Sequence, residues 1–193
     1  MGTTDLFVEL IVIGMGSTVW IFFLIISIFG FSWVDFNKLF SLPALFPFLS
    51  LTYVLGIVFD RISDTIFELI WAKELFRKYY ENKDDFHDDR RFIYIHEGRL
   101  ADLLEYGRSR LRICRGWALN SVLILLTLNF FVWTKIPDSS LKIQVSIFGS
   151  FLCIFLACGT WFSWYKLTLN DFRRVKEQAN FLKQFQSQLK EIK

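Results

Sequence analysis

Polar and apolar positions are strongly segregated along this chain. Four stretches contain no Asp, Glu, Lys or Arg: residues 10–34, 39–59, 116–134 and 143–165, which run for 25, 21, 19 and 23 residues. A hydrocarbon core about 30 Å thick takes about 20 apolar residues as helix. In lipid each backbone amide has to be satisfied within its own segment, so all four stretches are predicted to be transmembrane helices. The pattern predicts an all-α integral membrane protein with four transmembrane helices, a helical hairpin extending helices 2 and 3, and a C-terminal amphipathic helix.

The first predicted helix runs from about Leu6 to Phe31 and holds Gly14, Gly16 and Ser17, small residues that permit close helix approach. Asp5 and Glu9 lie in its first turns, where negative charge suits a helix N-terminus. Trp20 and Trp33 are its packing and interface aromatics. A short loop, Asp35–Ser41, leads to Pro43 and Pro47, which open the second helix. Beyond Phe59, Ile62, Ile66, Phe67, Ile70, Trp71 and Leu75 recur at helical spacing, with Asp60, Asp64, Glu68 and Lys73 between them. That spacing predicts an amphipathic continuation to about Tyr80.

Asn82–Arg90 reads as a polar, acidic turn. The helical pattern then resumes at Phe92 and passes through Leu100, Leu103, Leu104, Tyr106, Leu111 and Ile113 into the third span. Residues 60–116 therefore read as a two-armed hairpin, a stalk of roughly 30 Å at 1.5 Å per residue, with Gly98 and Gly107 placed to bend the return arm. The third span is Trp117–Trp133, and the loop Thr134–Lys142 contains Pro137. The fourth span, Ile143–Tyr165, ends in Trp161, Trp164 and Tyr165, which suit a headgroup boundary. Past Lys166, the residues Leu167, Leu169, Phe172, Val175, Ala179, Leu182, Phe185, Leu189 and Ile192 form a heptad-like stripe, suited to packing on the hairpin or on another copy. The division is thus 1–59 (spans 1 and 2), 60–116 (hairpin), 117–165 (spans 3 and 4) and 166–193 (amphipathic tail).

Charge adds an orientation. Of 22 Lys and Arg, twelve lie in residues 61–116 and seven from residue 166 onward; only Lys38, Lys135 and Lys142 fall in the two short loops. The net charge of +3 hides this asymmetry. The positive-inside rule places the hairpin, the tail and both termini in the cytoplasm of a multi-pass inner- or plasma-membrane protein. Basic residues near the bilayer favour anionic lipid headgroups.

Other readings are disfavoured. The first helix lacks a basic n-region and a small-residue cleavage site, so it reads as a retained span rather than a signal peptide. Leu6 stands where N-myristoylation needs Ser or Thr, and no prenylation box ends the sequence. Cys114, Cys153 and Cys158 form no CxxC pair and suggest neither a disulfide framework nor a zinc site. No nucleotide-binding, metalloprotease or hydrolase motif is present, so neither an enzyme nor a cofactor is expected.

Four sets of residues remain as candidates. Asp60 and Asp64 leave the second span at the depth where Arg108, Arg112 and Arg115 return at i, i+4 and i+7. An antiparallel hairpin brings the two rows together, as structural ion pairs, as a charged pore mouth, or as a docking site for a partner or an anionic headgroup. Within the spans, Asn120 and Thr127 share one face of helix 3, and Ser146, Ser150, Cys153, Ala157 and Thr160 form a small-residue stripe on helix 4. Each is either a packing seam or a pore lining. The acidic group Asp84, Asp85, His87, Asp88 and Asp89 offers oxygens to a cation but lacks EF-hand spacing. Finally, Arg91 and His96 have an R-x4-H spacing that resembles the catalytic motif of HEPN ribonucleases, and that resemblance implies RNA cleavage across a dimer.

Function is then expected to be that of an oligomeric, non-enzymatic membrane module. Its partners would be membrane lipids, further copies of itself and a soluble cytoplasmic protein, with no sequence-specific nucleic acid. The alternatives are an oligomeric channel lined by helix 3 or 4 and, last, a membrane-tethered HEPN-like nuclease. The layout is similar to that of small membrane components of bacterial antiphage systems, and this analogy implies a defence role.

Overall fold

A computed structural model describes residues 3–32 and 42–191. All of its regular structure is helical: α1 (Thr3–Phe29), α2 (Leu42–Phe67), a π-helical turn (Glu68–Ala72), α3 (Lys73–Arg77), α4 (Lys83–His96), α5 (Gly98–Lys135) and α6 (Ser139–Glu191). Four helices are long and apolar enough, by length and composition, to cross a membrane, as a multi-pass membrane protein requires. The loop Asp35–Ser41, Trp33, the first two residues and Ile192 lie outside the described residues.

The apolar halves pack as a layer in the order α2, α1, α5, α6. Close approach between α1 and α2 depends on two glycines. A Cβ at Gly14 would overlap the Thr52 carbonyl, and one at Gly56 would overlap the Leu10 carbonyl. Gly30 ends α1 with φ +79°, a left-handed conformation that favours glycine at the position after a helix, and its N–H closes on the Ile26 carbonyl at 3.0 Å. At the far edge, α6 is barely covered: Ile147, Phe148, Phe151 and Phe155 are exposed.

Beyond the charge-free stretches the helices build a second, polar-surfaced bundle with two apolar clusters. Nearest the spans, Phe67, Leu75, Ala118 and Trp164 pack with Trp71 and Trp161, and Phe67 meets Trp164 edge-on at 4.7 Å. Farther out, Tyr80, Phe86, Ile93, Leu104, Val175 and Ala179 form the other cluster. The stripe on α6 is spent on this cluster as far as Leu182, while Phe181 and Phe185 remain exposed.

Residues 60–116 differ from a two-armed hairpin. The outgoing helix widens into a π-turn and ends at Arg77, and Asn82–Arg90 is mostly helix rather than turn. The acids Asp84 and Asp85 occupy the first turn of α4, where the helix dipole favours them, and Phe86 and Ile93 bury one face. The return path then breaks at Glu97, whose extended backbone (φ −146°, ψ 90°) lets α4 pack on α6 before α5 starts at Gly98. Gly107 lies inside the unbroken α5. The predicted loop Thr134–Lys142 shortens to residues 136–138, because Asp138 caps α6 by accepting the Ser140 N–H at 2.8 Å. The fourth span and the tail are one helix of 53 residues.

Candidate charged site

The two rows of charge come together where the spans give way to the polar bundle. Asp60 and Asp64 lie one turn apart on α2, and Arg112 and Arg115 lie on the facing side of α5. Arg112 donates to Asp60 Oδ2 from Nε at 3.2 Å and from Nη2 at 2.8 Å. Arg115 donates from Nη2 to Asp60 Oδ1 at 3.2 Å and from Nη1 to Asp64. Asp60 is 2% exposed, so its carboxylate is satisfied almost entirely by guanidinium N–H groups. Below it, the buried Ser63 hydroxyl donates to the Asp60 backbone carbonyl at 3.0 Å.

A fifth charge completes the cluster. Glu9 of α1, read from the sequence as a partner of the helix dipole, is 4% exposed and lies 3.6 Å from Arg112. Among the described residues, neither of its carboxylate oxygens accepts a hydrogen bond. Its signal in the sequence was a charge at the edge of an apolar run; which helix it would face was not readable there. Arg108 stands one turn beyond Arg112 and makes no ion pair within 4 Å among the described residues, although it faces the Asp171 and Glu105 carboxylates.

These side chains line one side of a cavity of about 910 Å³ bounded by α2, α5 and α6 and roofed by α4. Thr168 and Asp171 line it from α6, with Trp164 one turn below them. Sequence reasoning passed over Thr168 and Asp171 because that helix was read for its apolar stripe, and it took Trp164 as a headgroup-boundary aromatic. Thr168 is 6% exposed, yet its hydroxyl has no partner among the described residues.

The polar span residues singled out from the sequence are engaged within the chain, whereas the buried Ser121 hydroxyl has no partner among the described residues. Asn120 donates to the Ile13 carbonyl at 2.8 Å and accepts from Ser17 at 3.1 Å, tying α5 to α1. Asn129 donates to Ser150 at 3.0 Å and accepts from Ser146, tying α5 to α6. Thr127 and Thr160 turn back on their own helices, to the Leu123 carbonyl at 2.9 Å and the Leu156 carbonyl at 2.6 Å. Cys153 is buried. Ser146, Ser150 and Cys153 therefore sit on the side of α6 that faces α5.

The acidic group is dispersed by its helix. Asp89 is buried and accepts the Tyr80 O–H at 3.1 Å and Lys183 Nζ at 2.6 Å, whereas Asp84, Asp85, His87 and Asp88 are exposed. Burial, with the Asp89 charge beside it, pushes the Tyr80 phenol far above its ordinary value of 10.0. Among the described residues no three of His, Cys, Asp and Glu converge as a metal site. Arg91 and His96 stand about 140° apart around α4 at 100° per residue, and His96 Nδ1 is 2.9 Å from the Phe92 carbonyl of its own helix. No protein-family model matches this chain, and neither a curated protein nor a solved structure does.

Proposed function

We propose that this chain is a non-enzymatic membrane module whose charged helical bundle, on the cytoplasmic side, docks a soluble protein partner. The observation that carries the reading is the surface of that bundle. Leu103 and Tyr106, one turn apart on α5, are 62% and 58% exposed, and Ile95 at the end of α4 is 71% exposed. These apolar side chains lie outside both apolar clusters, and their exposure on the charged bundle supports an interaction surface there. Arg110 lies over the Tyr106 ring at 5.1 Å and gives the patch a basic rim.

Orientation is supported by the 19 Lys and Arg on the bundle side of the spans, against three in the short loops. The uncovered apolar face of α6 supports self-association in the bilayer or a plain lipid contact. A defence role, the context implied by the layout, belongs to the same reading: the partner would be held or released as the membrane is disturbed.

The test is a pair of measurements. A cysteine introduced as Asp84→Cys, in a chain whose native cysteines are Ser, should react with an impermeant maleimide in inside-out vesicles and stay unreactive in right-side-out ones. Affinity purification should then recover a soluble protein with the unmodified chain and lose it with Leu103→Asp/Tyr106→Asp. Reversed labelling, or a partner retained by the double variant, would refute the reading.

A further inference from the structure

We propose that the cavity beside the ion-pair cluster binds a zwitterionic aminophospholipid headgroup, its ammonium on Glu9 and its phosphate on Arg108. The inference rests on the membrane reading above, because the lipid is available only if the cluster lies at a bilayer surface.

The first ground is charge. Glu9, Asp60 and Asp64 oppose Arg112 and Arg115, three carboxylates against two guanidiniums. A buried carboxylate that accepts no hydrogen bond is costly unless a cation or a proton offsets it. Glu9 is such a group among the described residues. It is 4% exposed and both oxygens lack donors, while Asp60 takes three N–H bonds from the two arginines. A primary ammonium supplies the missing donors.

The second ground is independent of Glu9. Across the cavity the Thr168 hydroxyl is also buried and unpartnered. Two polar groups without partners, on α1 and α6, line one chamber of about 910 Å³, a size suited to a small polar ligand. The third ground is spacing. Arg108 lines the same chamber, one helical turn from Arg112, the residue that touches Glu9. Arg108 thus stands about 6 Å along α5 from the arginine that meets Glu9, four residues at 1.5 Å each. A headgroup with phosphate and ammonium two carbons apart presents both charges at that scale. Trp164 and Phe67 line the cavity at the end nearest the spans, where acyl chains would leave it.

Native mass spectrometry of the detergent-purified chain, titrated with phosphatidylethanolamine, phosphatidylcholine or phosphatidylglycerol, tests the proposal. Phosphatidylcholine has no N–H donor and phosphatidylglycerol has no ammonium. Phosphatidylethanolamine should be retained about tenfold more strongly than either, the size expected of a hydrogen-bonded charged contact. Glu9→Gln, which leaves two carboxylates facing two arginines, should abolish the preference with the helical circular-dichroism signal unchanged. Thr168→Val should weaken it. Water-soluble phosphoethanolamine should compete with the lipid; if it binds as tightly as the lipid, the occupant is a free phosphorylated amine rather than a lipid. Equal retention of the three lipids, or a preference that survives Glu9→Gln, overturns the proposal. A chain that inserts into liposomes and shows no lipid preference sinks this site alone, whereas a chain that does not insert sinks the membrane reading.

Discussion

Arg112 grips one oxygen of Asp60 with two nitrogens, Nε at 3.2 Å and Nη2 at 2.8 Å, across 52 positions of sequence. Removing one partner of such a pair strands the other. Arg112→Ala leaves the 2%-exposed Asp60 with Arg115 alone and should cost about 3–5 kcal/mol. Asp60→Asn, which keeps shape and loses charge, should cost less. Thermal melts in detergent read the order, and an Arg112→Ala protein as stable as the parent would contradict it.

The α1–α2 contact makes a steric prediction. Gly14→Val and Gly56→Val each drive side-chain atoms into a facing backbone carbonyl, which cannot yield as a flexible side chain does. A cost of about 1–3 kcal/mol or more is expected for each. Gly107→Ala, where nothing lies within 4 Å, should be neutral or stabilising because alanine is the better helix former. A thermal shift of the same size in all three variants would refute the contact.

Asn120 joins α5 to α1 inside the apolar half. Asn120→Leu leaves the Ser17 hydroxyl with a single 3.4 Å contact to the Ile13 carbonyl. Polar contacts of this kind within membranes are worth about 0.6–1.7 kcal/mol. A loss in that range, read by unfolding in mixed detergent, is expected. A stability gain would place Asn120 outside the packing.

Alkaline pH bears on Tyr80. Its phenol holds its proton more tightly in the folded chain than in the unfolded one. The stability it lends is therefore intact below about pH 10, the unfolded value, and falls as pH rises beyond it. Tyr80→Phe should flatten the decline in melting temperature above pH 10 and lower stability modestly at neutral pH. An unchanged alkaline slope would refute the assignment.

The legible and illegible parts of the structure divide by range. The spans were readable because a run without charge about 20 residues long has few folded solutions. The meeting of Asp60 and Asp64 with Arg112 and Arg115 was readable because both rows follow helical spacing and return at matched depth. Helix α4 was hidden by its own composition. Dense acids look like a turn, and their fit to the first turn of a helix shows only once the burial of Phe86 and Ile93 is known. The π-turn leaves no mark in Glu68–Ala72 that periodicity detects. Glu9 and Thr168 depend on which helices become neighbours, and one-dimensional spacing does not encode that.

Val175 tests how the polar bundle is held. It is 1% exposed in the outer cluster, and Val175→Asp should release the end of α6 while leaving the spans intact. Trypsin should then cut the chain at Arg173, Arg174 and Lys176 far faster than in the parent. Equal protection would show that the cluster does not anchor the helix.

The unbroken course of α6 has a mechanical consequence. At 1.5 Å per residue its 53 residues make a rod of about 80 Å. Nearly half, about 39 Å, lies beyond Tyr165. If the apolar half of this rod tilts by about 10° as the surrounding lipid thins or thickens, the far end swings through roughly 7 Å. Val175 and Ala179 lie on that far arm, so such a tilt would shift them against α4.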